Sequence, residues 1–330
     1  MQGSLNLRRK AGSTRLASSA WLAGCLILFA TSHSVSAQDD CCQDCCCQSE
    51  SSESCLLFWD DLFGECPSPA RDPYEEPIET DRHDFTQSAR TVGRGVAQIE
   101  AGYTYYYKDG TEEIEGSHTG PEMLLRYGLS EDIELRLRWT YAWIFKTAKD
   151  EHEEVNDLDG AQDLNFGFKL QLTEQECCRP ESALRLICTV PTGGSDFTTN
   201  GVEIGADVVY AWELANGWEL AGSSGAFRNG AGEFSLIALS GMGESGFTSD
   251  FVAWAQSVAL GIPLSEQMEL YLEYFGIVSD GLPQEFTLGF VNAGVDFLIT
   301  NDLVFDVRLG RGLTTDSDDF FVGTGGGIRF

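Results

Sequence analysis

From Ile133 to Phe145 every odd position is apolar or aromatic (Ile133, Leu135, Leu137, Trp139, Tyr141, Trp143, Phe145). The even positions carry Glu134, Arg136, Arg138, Thr140, Ala142 and Ile144. A period of two places these sets on opposite faces of one strand. Leu164, Phe166, Phe168, Leu170 and Leu172 repeat the pattern against Asp163, Asn165, Gly167, Lys169 and Gln171, as do Val202, Ile204, Ala206, Val208, Tyr210 and Trp212 against Glu203, Gly205, Asp207, Val209, Ala211 and Glu213. Weaker alternation recurs at 96–107, 121–129, 183–190, 218–227, 250–261, 268–277, 286–298, 303–311 and 320–330, which predicts an all-β region of about twelve strands.

Alternation alone does not say which face is buried. A soluble sheet buries its apolar face, whereas a transmembrane barrel turns it to lipid and keeps polar side chains in the lumen. The connections decide. Short turns at Ser130–Asp132, Ala215–Gly217 and Thr300–Asp302 alternate with longer acidic or Gly-rich stretches at Lys146–Gly160, Pro191–Asn200 and Ser279–Gln284. Aromatics also sort to strand ends, Tyr103, Tyr105, Tyr107, Trp139, Tyr141 and Trp143 at one end and Tyr127, Trp212 and Trp218 at the other, as two interfacial girdles require. The expected fold is an antiparallel transmembrane β-barrel over 96–330 with its long loops outside the cell. After residue 37 no run of 18 apolar residues offers a spanning helix.

Ahead of the barrel, Arg8, Arg9, Lys10 and Arg15 precede the apolar run Ala20–Ala30, and Val35-Ser36-Ala37 fits a small-residue cleavage site, so 1–37 is expected to be a signal peptide. Leu22-Ala23-Gly24-Cys25 resembles a lipoprotein box, but apolar residues continue beyond Cys25. The stretch 38–76 holds Cys41, Cys42, Cys45, Cys46, Cys47, Cys55 and Cys66 among acids, then Pro67, Pro69 and Pro73. It reads as a disordered, disulfide-linked periplasmic tether, with soft-metal capture as the alternative. Residues 77–95 form a pre-barrel segment. Cys177-Cys178 falls in a predicted inner turn and Cys188 on the next strand, where a local disulfide is one reading.

The 52 Asp and Glu against 21 Lys and Arg give a net charge of -31, which excludes nucleic acid as a partner. On the predicted lumen faces stand twelve acids: Glu100, Glu122, Glu134, Asp163, Glu203, Asp207, Glu213, Glu219, Glu269, Glu273, Asp296 and Asp306. Seven bases face them: Arg126, Arg136, Arg138, Lys169, Arg185, Arg308 and Arg329. These are expected to pair across neighbouring strands and narrow a pore of modest cation preference. The strands carry no G-x-S-x-G elbow, and His118 reads as a solvated loop histidine, so no catalytic residue, metal site or cofactor is expected.

The chain closes on Gly325-Gly326-Gly327-Ile328-Arg329-Phe330, and a terminal Phe resembles the end that outer-membrane assembly machinery recognises, which makes that machinery and the lipid the expected partners. Finally, Pro77-Ile78-Glu79-Thr80-Asp81-Arg82-His83-Asp84-Phe85-Thr86-Gln87-Ser88, with Leu270–Gly276 downstream, resembles the family labelled putative meta-pathway of phenol degradation, over roughly 77–330. His83 stands where that family usually has Pro. The resemblance implies a bacterial outer-membrane barrel, often called a transporter, and lends the expectation of a passive channel or uptake pore for small, aromatic or hydrophobic solutes. The alternative is a non-conducting barrel that anchors the outer membrane through its tether.

Overall fold

A computed structural model describes residues 72–82, 85–111, 113–149, 154–176, 178–229 and 250–330. The expected signal peptide, most of the Cys-rich tether, His83, His152 and Cys177 lie outside the described residues. Thirteen strands follow one another: β1 (Ala97–Asp109), β2 (Glu113–Gly128), β3 (Ile133–Ala148), β4 (Glu154–Ala161), β5 (Leu164–Thr173), β6 (Glu181–Val190), β7 (Glu203–Glu213), β8 (Glu219–Arg228), β9 (Val252–Ser265), β10 (Met268–Asp280), β11 (Thr287–Thr300), β12 (Leu303–Gly312) and β13 (Phe320–Arg329). Each pairs antiparallel with the next, except that β3 pairs β5 along Ile133–Arg138 and β4 along Tyr141–Thr147. β4 and β5 therefore share one position in the wall. β1 pairs β13 from Gln98–Arg329 to Tyr107–Phe320 and closes the sheet into a barrel of twelve strand positions, in which β4 has a ladder to β3 on one side.

The faces are sorted as a bilayer requires. Leu135, Leu137, Phe166, Ile204, Val258, Phe305 and Leu309 are exposed, while Glu100, Glu134, Lys169 and Asp306, on the alternate positions, are buried. In water such a surface would be strongly unfavourable; in hydrocarbon it is the stable arrangement. Tyr127 and Trp218 are exposed at strand ends, while the exposed Tyr103 lies midway along β1 and Trp143 within β3.

Two connections differ from expectation. Lys146–Gly160 is largely not a loop: β3 runs to Ala148 and β4 returns from Glu154, paired antiparallel from Tyr141–Ala161 to Thr147–Glu154. In β2 the register shifts between Thr119 and Glu122. The shift changes which parity faces inward: Ser117 and Thr119 are buried above it, Glu122, Leu124 and Arg126 below it. His118 consequently sits on the outer face, half-buried against Tyr103, Tyr105 and Phe145, and is not a solvated loop residue. Of the cysteines expected to form a local disulfide, Cys177 lies outside the described residues. Cys188 is a free thiol on the outward face of β6, seven residues beyond Glu181, a rise of about 23 Å at 3.3 Å per residue.

Candidate functional site

The strand ends carrying Ser130–Asp132, Ala215–Gly217 and Asn301–Asp302 mark one mouth of the barrel, and the chain enters there, Ile78 N–H donating to the Asn301 carbonyl at 2.8 Å. It then rises into the lumen, turns near Phe85, and comes back to Gly95, whose N–H meets the Gly128 carbonyl at 2.8 Å before β1 begins. The segment expected merely to precede the barrel is a re-entrant hairpin inside it.

Arg82 anchors the hairpin. Its Nη1 meets Glu122 of β2 at 2.9 Å and its Nη2 meets Asp306 of β12 at 2.6 Å, with all three side chains nearly free of solvent. The guanidinium fits because the wall beside it is glycine: a Cβ at Gly102 or Gly325 would lie 2.3 and 2.2 Å from Arg82 atoms. Asp81, fully buried, meets Arg136 at 2.6 Å, Lys169 at 2.5 Å and Arg126 at 3.4 Å. Burial alone would raise the Asp81 carboxyl, but Arg126, Lys169 and Arg136 overcome it and hold it well below the usual carboxylate range.

The hairpin backbone is held by wall carboxylates. Asp81 and Arg82 N–H both donate to Glu100 Oε2 at 2.8 Å, Thr86 N–H to Glu273 Oε1 at 2.5 Å, and Val92 N–H to Glu134 Oε2 at 3.0 Å. Thr86 Oγ1 donates to Ser257 of β9 at 2.6 Å, and Arg90 meets Glu181 of β6 at 2.9 Å. Neighbouring Glu79 is the chief reason the Arg90 guanidinium is held above its ordinary range, against the opposing effect of burial. These contacts reach walls on all sides of the lumen.

Of the sequence-derived lumen residues, the structure gathers Glu100, Glu122, Arg126, Glu134, Arg136, Lys169, Glu273 and Asp306 around the hairpin. Arg126 also bridges to Glu134 at 2.8 Å, and Arg185 to Asp207 through a 2.8 Å hydrogen bond, both between neighbouring strands. Arg308 lies 3.7 Å from Glu122, and Arg138 is half-buried beside Arg136. The others scatter. Glu203 meets Arg228 at the loop end, Glu213, Glu219 and Glu269 are exposed at the short-turn mouth, Asp296 is half-buried, and Arg329 ties Asp302 to the Glu76 carbonyl. Asp163 lies in the break between β4 and β5, where it accepts N–H groups of Thr192, Gly193 and Thr199. Phe330 is exposed and pairs its backbone with Ala97.

What the sequence reading missed is the other half of the lumen. Toward the long loops, Ile187, Phe227, Phe251, Ile277, Phe286, Leu288, Phe290 and Phe321 form one inward apolar cluster. Phe85 at the hairpin tip stacks on Phe275 (4.6 Å, 4°), Phe275 on Phe290 (5.0 Å), and Arg308 lies 5.4 Å over Phe321. Among the described residues no group of three or more His, Cys, Asp or Glu is arranged to hold a metal ion.

Residues 80–330 match the model of the family described as Putative MetA-pathway of phenol degradation. An outer membrane channel from Pseudomonas putida F1 shares the fold at 12% identity and a TM-score of 0.56, the alignment covering 76% of this chain and all of that one. More distant are the transport unit of the Escherichia coli autotransporter AIDA-I (10% identity, TM-score 0.44, covering 75% and 94%) and the NalP translocator domain of Neisseria meningitidis (11%, 0.42, 72% and 89%). No curated protein matches the chain by sequence.

Proposed function

The chain belongs to the family of the putative MetA-pathway of phenol degradation, and from there we propose that it is an outer-membrane channel for small molecules whose lumen is closed by its own N-terminal hairpin. The observation that carries this reading is how the hairpin is held. From Asp81 to Val92 its backbone is fixed by side chains of Glu100, Glu273 and Glu134, not by a strand ladder. A segment held in this way can leave without unzipping the wall, whereas a thirteenth wall strand could not. The barrel surface supports placement in the outer membrane, with lipid against its exposed leucines and Phe330 offered to the assembly machinery. The aromatic loop-side lumen suits apolar or aromatic solutes, which would meet Phe290, Phe321 and Phe275 before the hairpin.

The occlusion itself also favours a second reading, a non-conducting barrel that anchors the outer membrane through the Cys-rich tether. Conductance in planar bilayers separates the two. The channel reading expects the intact protein to conduct weakly and a variant lacking 78–92 to give larger, stable steps. A folded deletion variant that passes no current favours the structural barrel.

A further inference from the structure

Arg311 stands exposed on the outward face of β12, between Leu309 and Leu313, on a line of exposed apolar residues that begins with Leu303, Phe305 and Val307. We propose that this arginine binds the phosphate head group of a lipid in the leaflet at the loop end, the outer one, with Phe320, Val322 and Leu309 receiving the acyl chains. A guanidinium on a lipid-facing wall needs an anion, and the wall does not supply one. Among the described residues Arg311 has no hydrogen-bond or ion-pair partner. Other exposed cations of the loop end have theirs, Lys149 in Asp109 at 2.5 Å and Arg228 in Asp250 at 2.9 Å. Asp319, adjacent to Phe320, instead receives the Asp109 N–H at 2.6 Å. Across the sheet Arg311 is paired with Val291 of β11 and Phe320 of β13, both exposed, so apolar surface surrounds the charge. Height decides what meets it. Arg311 lies eight residues beyond Leu303, about 26 Å of strand at 3.3 Å per residue. At the usual barrel tilt that is about 20 Å along the membrane normal, close to the top of an apolar band about 25 Å tall. There the arginine stem can lie along its apolar neighbours while the guanidinium reaches the head groups. Tyr107, whose ring stacks on Phe320 at 5.2 Å, fits the same interface. The planar guanidinium fork matches two oxygens of one phosphate. With 52 Asp and Glu against 21 Lys and Arg, the chain as a whole repels anionic lipid. An unpaired cation facing the leaflet is where such a lipid would be held.

The test uses the full-length purified barrel in dodecyl maltoside, titrated with lipid A carrying its two phosphates and with the dephosphorylated lipid, and reads binding by native mass spectrometry. The phosphorylated lipid is expected to bind about tenfold more tightly or better, since hydrogen bonds to a charged group are worth that much. Arg311→Gln should erase most of the difference, and Arg311→Lys should retain part of it. Arg228→Gln removes a loop-end cation that is already paired and should leave the difference intact. Heat-modifiable mobility on gels checks that each variant is folded. Equal affinity for the two lipids, an undiminished preference in folded Arg311→Gln, or an equal loss in Arg228→Gln would overturn the assignment. Displacement of the lipid by inorganic phosphate at a matching concentration would overturn it as well, because the site would then hold a free anion and not a lipid.

Discussion

The two halves of the lumen are filled by different physics. At the short-turn end Arg82, Asp81 and the wall charges meet in buried ion pairs, each with one permitted partner geometry. At the loop end Phe275, Phe290 and Phe321 pack by area and ring orientation, which many arrangements satisfy. Buried charges cost much desolvation and repay it only when well matched, so the ionic half holds one defined hairpin position. Apolar contacts are non-directional and tolerate a guest. A lumen with a specific lock at one end and an adaptable apolar wall at the other is suited to retain a solute without passing it freely.

The largest effect is expected at the Arg82 lock. Arg82→Ala would leave Glu122 and Asp306 facing each other without their shared cation, a loss of about 3–5 kcal/mol for a broken buried pair. The expected outcome is a released hairpin, seen as trypsin cleavage near Arg90 in a barrel that still resists unfolding in detergent. A second, smaller effect marks the lipid boundary. Leu137→Arg should cost about 2–4 kcal/mol at mid-bilayer and depress outer-membrane levels, while Arg138→Leu, facing the lumen, should assemble normally on gel mobility. Gly102→Ala sharpens the account of the lock, because its Cβ would overlap the Arg82 guanidinium at 2.3 Å. It should loosen the hairpin by hydrogen exchange at 78–92 without changing the yield of barrel.

The smallest effect is one of pH, outside the wall. Burial pushes the Asp318 carboxyl up to about 7, with Lys108 opposing and Glu115 and Asp319 reinforcing. A carboxyl raised in the folded state contributes stability below its ordinary value and loses it as pH rises through about 7. The loop 313–319 should therefore exchange more slowly at pH 6 than at pH 8, after correction for intrinsic rates, and Asp318→Asn should remove the difference. For Asp81 the sign reverses: its stabilisation is present at neutral pH and is lost only as pH falls below the ordinary carboxylate range.

The wall was legible because a barrel strand has a period of two and lipid contact exaggerates it: Leu135, Leu137 and Glu134 alone orient β3. The outer parts of β2 and β4 were not, since strands beyond the bilayer need no apolar face and Glu154–Ala161 reads as an acidic loop. The hairpin was hidden for another reason. Asp81 and Arg82 look like solvated charges in the sequence, and only the closed wall shows that they are buried. One signal could have exposed it. Gly323, Gly325 and Gly327 share the inward face of β13, and an inward face without side chains implies that something else fills the space, here Arg82 beside Gly325 and Thr80 beside Gly327. The aromatic half was missed because only charged side chains were assigned to the lumen, although Phe290 and Phe321 point inward.

Closure of this barrel by the Arg82 lock is tested most directly by a charge swap. In planar bilayers Arg82→Asp should raise single-channel conductance severalfold, since Glu122 and Asp306 then repel the hairpin, and adding Asp306→Arg should bring it back toward the intact level. Equal conductance in all three proteins, or an open double variant with the hairpin still protected from protease, would contradict the account.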